Sequence, residues 1–195
     1  MIEVEKKYRL DDKQEKILTE GATFLKEVEN VDEYFDTDDW SLTTQDHWLR
    51  KRNGAFELKK RLHTLGHKLG TTAYDELTDT EEIRAFLHLP KEGSFEDALS
   101  QAGYKRFVTL PKKRRSYERD GFRIDLDECP FDYKIAEIEL LIDDPSKREE
   151  ASERIDAFAA SIGLDTSPVR GKIIEYLNRY SPNHYQALLD AGVIY

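Results

Sequence analysis

Charged residues recur two positions apart along this chain, in segments otherwise apolar enough to be strands. Glu3, Glu5 and Lys7 open the series. Arg50 with Arg52, Glu57 with Lys59 and Arg61, Lys113 with Arg115, Arg123 with Asp125 and Asp127, and Glu137 with Glu139 continue it. Residues two apart on a strand share a face, so Glu3, Glu5 and Lys7 take one side while Ile2, Val4 and Lys6 take the other. One such strand could simply face solvent. Several together imply a sheet curled around a polar interior. The expected fold is α+β: an antiparallel eight-stranded β-tunnel, a closed barrel with a charged lumen and helices packed outside. A lumen carrying both signs suits a metal–polyphosphate complex.

The remaining pattern fits that frame. Strands are predicted over 2–10, 22–29, 31–36, 48–52, 55–62, 104–110, 112–119, 121–127 and 133–142. Asn53-Gly54 makes the hairpin between 48–52 and 55–62 the clearest in the chain. Helices are predicted over 11–21, 78–88, 94–102 and 145–162, with acidic or Ser94 starts and glycine stops at Gly21, Gly103 and Gly163. Residues 63–75, with Gly66 and Gly70, read as a loop, and 40–42 as a turn. A helical pair over 171–179 and 182–191 ends the chain, the second with Ser181 as cap and Pro182 in its first turn. No linker divides the sequence. One domain over 1–195, including the helical segment at about 171–191, is expected.

Composition excludes several partners. The chain has 195 residues and a formal charge of −10, which argues against nucleic acid because phosphate backbones demand a broad basic surface. A small anion held by a local basic cluster and a divalent cation remains compatible. The single cysteine, Cys129, rules out an intramolecular disulfide. No leader is visible, and no apolar run approaches the roughly 18 residues of a membrane helix. The expectation is a cytoplasmic monomer with no membrane or nucleic-acid partner. The five histidines, His47, His63, His67, His88 and His184, lack metal-ligand spacing and read as surface or structural. Cys129 has no adjacent base, and no Walker-type glycine loop is present.

Two sets of side chains carry the chemistry. Glu3, Glu5, Asp125, Glu137 and Glu139 are hard oxygen ligands of the kind Mg²⁺ or Mn²⁺ prefers. Arg50, Arg52, Lys59, Lys113, Arg115 and Lys172 are the basic complement, arginine forks gripping phosphate bidentately and lysines acting as point charges. Phe56 either belongs to the core or stacks on an aromatic ring at the tunnel mouth. Glu57, in lumen phase, is a candidate proton acceptor.

The chain resembles the triphosphate tunnel metalloenzymes, the CYTH superfamily, whose mark is the N-terminal Glu-x-Glu-x-Lys at Glu3, Glu5 and Lys7. Within it, the thiamine triphosphatases of animals are most similar. The likeness also runs through Asp46-His47-Trp48-Leu49-Arg50-x-Arg52, Glu57-Leu58-Lys59, Tyr74-x-Glu76-Leu77-Thr78, Arg123–Asp127, Glu137-x-Glu139 and Gly171-Lys172, and on to Pro182-x-x-Tyr185-Gln186. The resemblance implies that Glu137, Glu139 and Asp125 hold a catalytic Mg²⁺ with Glu3 and Glu5 completing the acidic side. It implies that Lys7, Arg50, Arg52, Lys59, Lys172 and an arginine of the 112–115 run bind a small-molecule triphosphate, most simply thiamine triphosphate; phase with Lys113 selects Arg115 over Arg114. Phe56 departs from the tryptophan of the mammalian proteins, which supports thiamine recognition there. The rival activities are inorganic tripolyphosphatase, nucleoside triphosphatase and class IV adenylyl cyclase. A non-catalytic phosphate-binding module is the rival of a different class.

Overall fold

The computed structural model describes residues 2–61 and 72–194, without the side chains of Thr72 and Ala73. His63 and His67, and most of the predicted 63–75 loop, lie outside the described residues. The strands are β1 (Ile2–Arg9), β2 (Thr23–Asp36), β3 (His47–Arg52), β4 (Ala55–Arg61), β5 (Thr72–Leu77), β6 (Lys105–Arg119), β7 (Phe122–Cys129) and β8 (Tyr133–Ile142). The helices are α1 (Asp12–Thr19), α2 (Thr80–Phe86), α3 (Phe95–Gln101), α4 (Arg148–Ser161), α5 (Lys172–Tyr180) and α6 (Pro182–Asp190). The strands are hydrogen-bonded in the ring order β1-β5-β4-β3-β2-β6-β7-β8, and neighbours run antiparallel. Among the described residues no helix is long and apolar enough to cross a membrane.

Two compact units divide the chain. The first comprises Met1–Asn30, Leu62–Tyr74 and Pro111–Glu175; the second comprises Val31–Arg61, Asp75–Leu110 and Tyr176–Tyr195.

In the first unit the period-2 alternation sorts β1, β7 and β8 into an apolar and a charged face. Val4 and Tyr8, Ile124 and Leu126, and Ala136, Ile138 and Leu140 pack with Ile155, Phe158 and Ala159 of α4 and Leu18 of α1. Lys6, on that same face of β1, reaches Asp156 of α4 at 2.5 Å. Asp11 caps α1 by accepting the Gln14 amide at 2.8 Å. Asp120 and Gly121, both at positive φ, turn the chain tightly from β6 into β7.

The second unit repeats the logic. Leu49 of β3 and Phe56 and Leu58 of β4 pack with Ile83 of α2 and Ala98 and Leu99 of α3. Asn53 and Gly54 both take positive φ, giving the predicted two-residue hairpin. The Asn53 side chain also accepts the Val31 amide at 2.9 Å. Ser94 caps α3 through the Asp97 amide. His184 of α6 stacks on Trp40 at 4.8 Å and bonds the Thr43 hydroxyl at 2.7 Å, so it is structural.

Three expectations about elements are corrected. Residues 22–29 and 31–36 form the single strand β2, because the backbone stays extended through Asn30. Residues 104–110 and 112–119 form the single strand β6, with Pro111 inside it; a proline costs a strand one donor, not its extended backbone. Part of the predicted 63–75 loop is β5, which pairs with β1 through Glu3 opposite Tyr74. A smaller difference is that the Ser181 side chain makes no capping bond to α6.

Candidate functional site

The charged face of the first unit follows from strand register. Glu5 pairs with Glu139 and Lys7 with Glu137 across β1 and β8. Arg123 pairs with Glu139 and Asp125 with Glu137 across β7 and β8. Arg114 pairs with Asp127 across β6 and β7. Asp125, Asp127, Glu137, Glu139 and Glu5 are all buried. One carboxylate oxygen from each of Glu3, Glu5 and Glu139 lies within 4.8 Å of the others. Burial, then repulsion from Glu3, Asp125 and Glu137, pushes the Glu139 carboxyl well above its ordinary range. Three crowded hard donors, one driven to hold a proton, are the donor set a divalent cation relieves, so the residues fit such an ion.

Cations interlock with the same face. Arg114 donates Nε and Nη2 to Asp127, each at 2.6 Å, Nη1 to Asp125 at 2.5 Å and Nη2 to Glu137 at 2.6 Å. The Lys172 ammonium, at the start of α5, lies 2.6 Å from Asp127 and 2.5 Å from Glu137. Lys7 bonds Glu5 at 2.5 Å. Arg123 lies 3.2 Å from Asp125. Burial alone would raise Glu137, but Lys172, Arg114 and Lys7 override it and hold it well below the usual carboxylate range. Lys172 and Lys112 do the same for Asp127. Burial would lower Lys172, yet Asp127 and Glu137 keep it above its ordinary value. Cations thus hold Glu137 and Asp127 in their charged forms, whereas Glu139, with Arg114 and Arg123 no nearer than 3.9 and 3.8 Å, is pushed the other way.

The second unit holds its own charged group. Arg52 grips Asp32, which is fully buried, at 2.6 and 2.9 Å. Arg50, also buried, donates Nε to Glu57 at 2.7 Å and lies 3.3 Å from Glu76. Lys59 stands opposite Trp48 on β3, on the same face of β4 as Glu57.

Three predicted site residues lie elsewhere. Lys113 bonds Glu27 at 2.9 Å, half exposed. Arg115 bonds Glu15 of α1 and Glu128. Lys113 and Arg115 share a face, but the alternation that reaches the charged group runs through Lys112 and Arg114 instead. The cross-strand partner of Arg114 is Asp127, so the strand pairing would have revealed the phase. Phe56 is buried against Phe35 and Phe95, at 5.6 and 4.8 Å. It lines a cavity of about 370 Å³ with Lys51, Glu96 and Tyr104, on the face of β4 opposite Glu57, so it is no ring platform beside the charged group.

Residues 1–168 match the CYTH domain. The chain belongs to the CYTH domain family. In an alignment of 214 positions that spans 98% of this chain and 91% of each relative, it is 32% identical to human thiamine-triphosphatase and 31% identical to the Macaca fascicularis enzyme. Among solved structures, a Pyrococcus horikoshii OT3 protein superposes with a TM-score of 0.69 at 22% identity, over 91% of this chain and 99% of that one. A Hippeastrum protein described as having a dominant triphosphatase activity gives 0.58 at 18%, over 88% and 94%. At those identities the structural likeness is one of fold. In this CYTH chain the domain match ends before α5, so Lys172 enters the charged group from beyond it.

Proposed function

We propose that this CYTH protein is a metal-dependent triphosphatase that cleaves thiamine triphosphate to thiamine diphosphate and phosphate, acting as one domain over residues 1–195. Convergence of Glu3, Glu5 and Glu139 beside a cationic group carries the reaction class. Identity to thiamine-triphosphatases over 98% of the chain supports the substrate. The strand ring would enclose a tunnel whose wall is the charged strand faces.

Glu3, Glu5 and Glu139 would hold Mg²⁺, or Mn²⁺ in its place, with Asp125 and Glu137 as further carboxylates of the same face. Bound there, the ion would draw charge from the phosphate oxygens. Lys7, Lys112, Arg114 and Lys172 would neutralise the triphosphate in the first unit. Arg50, Arg52 and Lys59 would be the cations of the second. Such a site works by positioning and electrostatics. Water adds to the terminal phosphorus, the bridging P–O bond breaks, and the diphosphate keeps the electron pair. Glu57, engaged by Arg50, would receive the water proton as the guanidinium turns to phosphate.

The test is kcat/KM for thiamine triphosphate, tripolyphosphate and ATP with Mg²⁺, together with a cyclic AMP assay. The expected order places thiamine triphosphate first, with no cyclic AMP. Preference for tripolyphosphate or ATP would overturn the substrate. Cyclic AMP formation, or tight binding without phosphate release, would overturn the reaction.

A further inference from the structure

One buried carboxylate stands apart from the three that converge for a cation. Asp127 is fully buried on β7, and its partner on β8 is Ile135, with no carboxylate across from it. Its two oxygens accept Nε and Nη2 of Arg114, a side-on fork with both bonds at 2.6 Å. Its Oδ2 also lies 2.6 Å from the Lys172 ammonium and 3.6 Å from that of Lys112. Three cations from β6 and the start of α5 thus gather on one short, immobile side chain.

Resting on the triphosphatase reading above, we propose that Asp127 is a positioning residue that pre-assembles Lys112, Arg114 and Lys172 into a cradle for the anionic oxygens of the triphosphate. Arginine has five donors and ammonium three, so Arg114 and Lys172 can keep their bonds to Asp127, and Lys112 its 3.6 Å ion pair, while all three offer further donors to phosphate. Glu137 shares Arg114 and Lys172 with Asp127. It is the partner released when phosphate arrives, because it belongs to the carboxylate group proposed for the metal. Asp127 remains as the fixed point. Without it, three like charges would spread apart and would have to be regathered by the ligand, at the cost of affinity.

The experiment is calorimetric binding of tripolyphosphate, without divalent cations so that no turnover occurs, to wild type and Asp127→Asn, with thermal unfolding in parallel. Simple charge counting says that removing an anion tightens binding of an anion. The cradle predicts the opposite: a Kd about tenfold weaker, in a variant still folded at the binding temperature. An unchanged or tighter Kd overturns it. Should Asp127→Asn fail to fold, Asp127→Glu keeps the charge and displaces it by one methylene. Several-fold weaker binding is then expected, and wild-type affinity overturns the cradle. A wild type that binds no tripolyphosphate overturns the triphosphatase reading together with the cradle. A wild type and an Asp127→Asn variant that bind it equally overturn the cradle alone.

Discussion

Glu5 and Glu139 stand directly opposite each other on the adjacent antiparallel strands β1 and β8. Like charges so placed destabilise a sheet, and here both are buried, with Glu3 close by. Folding them into one spot makes sense when a cation completes them. Glu139→Gln puts a permanently neutral amide in place of the carboxyl that burial and its neighbours drive to hold a proton. The variant is expected to unfold at or above the wild-type temperature without metal, to lose the rise in Tm that Mg²⁺ gives the wild type, and to lose about two orders of magnitude in kcat. Differential scanning fluorimetry with and without Mg²⁺, beside a phosphate-release assay, checks it.

Arg114 and Arg115 are neighbours with opposite fates. Arg114→Ala leaves Asp125, Asp127 and Glu137 without their shared partner, and kcat/KM should fall by about two orders of magnitude. Arg115→Ala removes contacts with Glu15 and Glu128 on the other face, partly exposed pairs that contribute about 1 kcal/mol or less. Its kcat/KM should stay within about twofold of wild type. Reversal of the two results would restore Arg115 to the site.

Phe56 packs in the core beneath α3. Phe56→Ala is expected to cost about 3 kcal/mol of stability. It should leave the ratio of kcat/KM for thiamine triphosphate to that for tripolyphosphate unchanged. Urea unfolding and the two-substrate assay measure these separately, and a shifted ratio would make Phe56 a specificity residue after all.

His184 gives the fold a pH dependence. Burial against Trp40 and Phe107 pushes its imidazole down to about 4, against the attraction of Asp36. The unfolded chain protonates near 6.5, so between 6.5 and 4 it binds a proton that the folded chain refuses. Stability from this group is complete above pH 6.5. It falls as pH drops toward 4, by up to about 1.4 kcal/mol per unit. His184→Gln can still bond Thr43 and does not titrate. Between pH 7.5 and 5.5 its stability should change less than that of the wild type in matched denaturant titrations.

The charged faces of β1, β7 and β8 were legible in the sequence because Val4, Ile124 and Ile138 alternate with them and fix which side is core. The run Lys112–Arg115 has no such alternation. Four consecutive basic residues read equally well in either phase, and only the pairing of Arg114 with Asp127 decides between them. Phe56 was ambiguous for a related reason: an aromatic residue next to a lumen-phase glutamate says nothing about α3, which covers it. The short strand β5 carries Asp75 and Glu76 among its six residues, too polar for a pattern to declare it. Asn30 and Pro111 looked like breaks because each disfavours a strand locally, yet the ladders of β2 and β6 continue past them.

The pairing of β1 with β8 sets an order of events during synthesis. Glu3 and Glu5 are made well before their partner Glu139, which follows more than 130 positions later. A nascent chain on the ribosome therefore carries two of the three carboxylates of the proposed cation site, with nothing to close the group until β8 has emerged. Contacts this distant in sequence form slowly. The carboxylate group therefore cannot come together before β8 has been made, and a chain cut short before β8 would be without it.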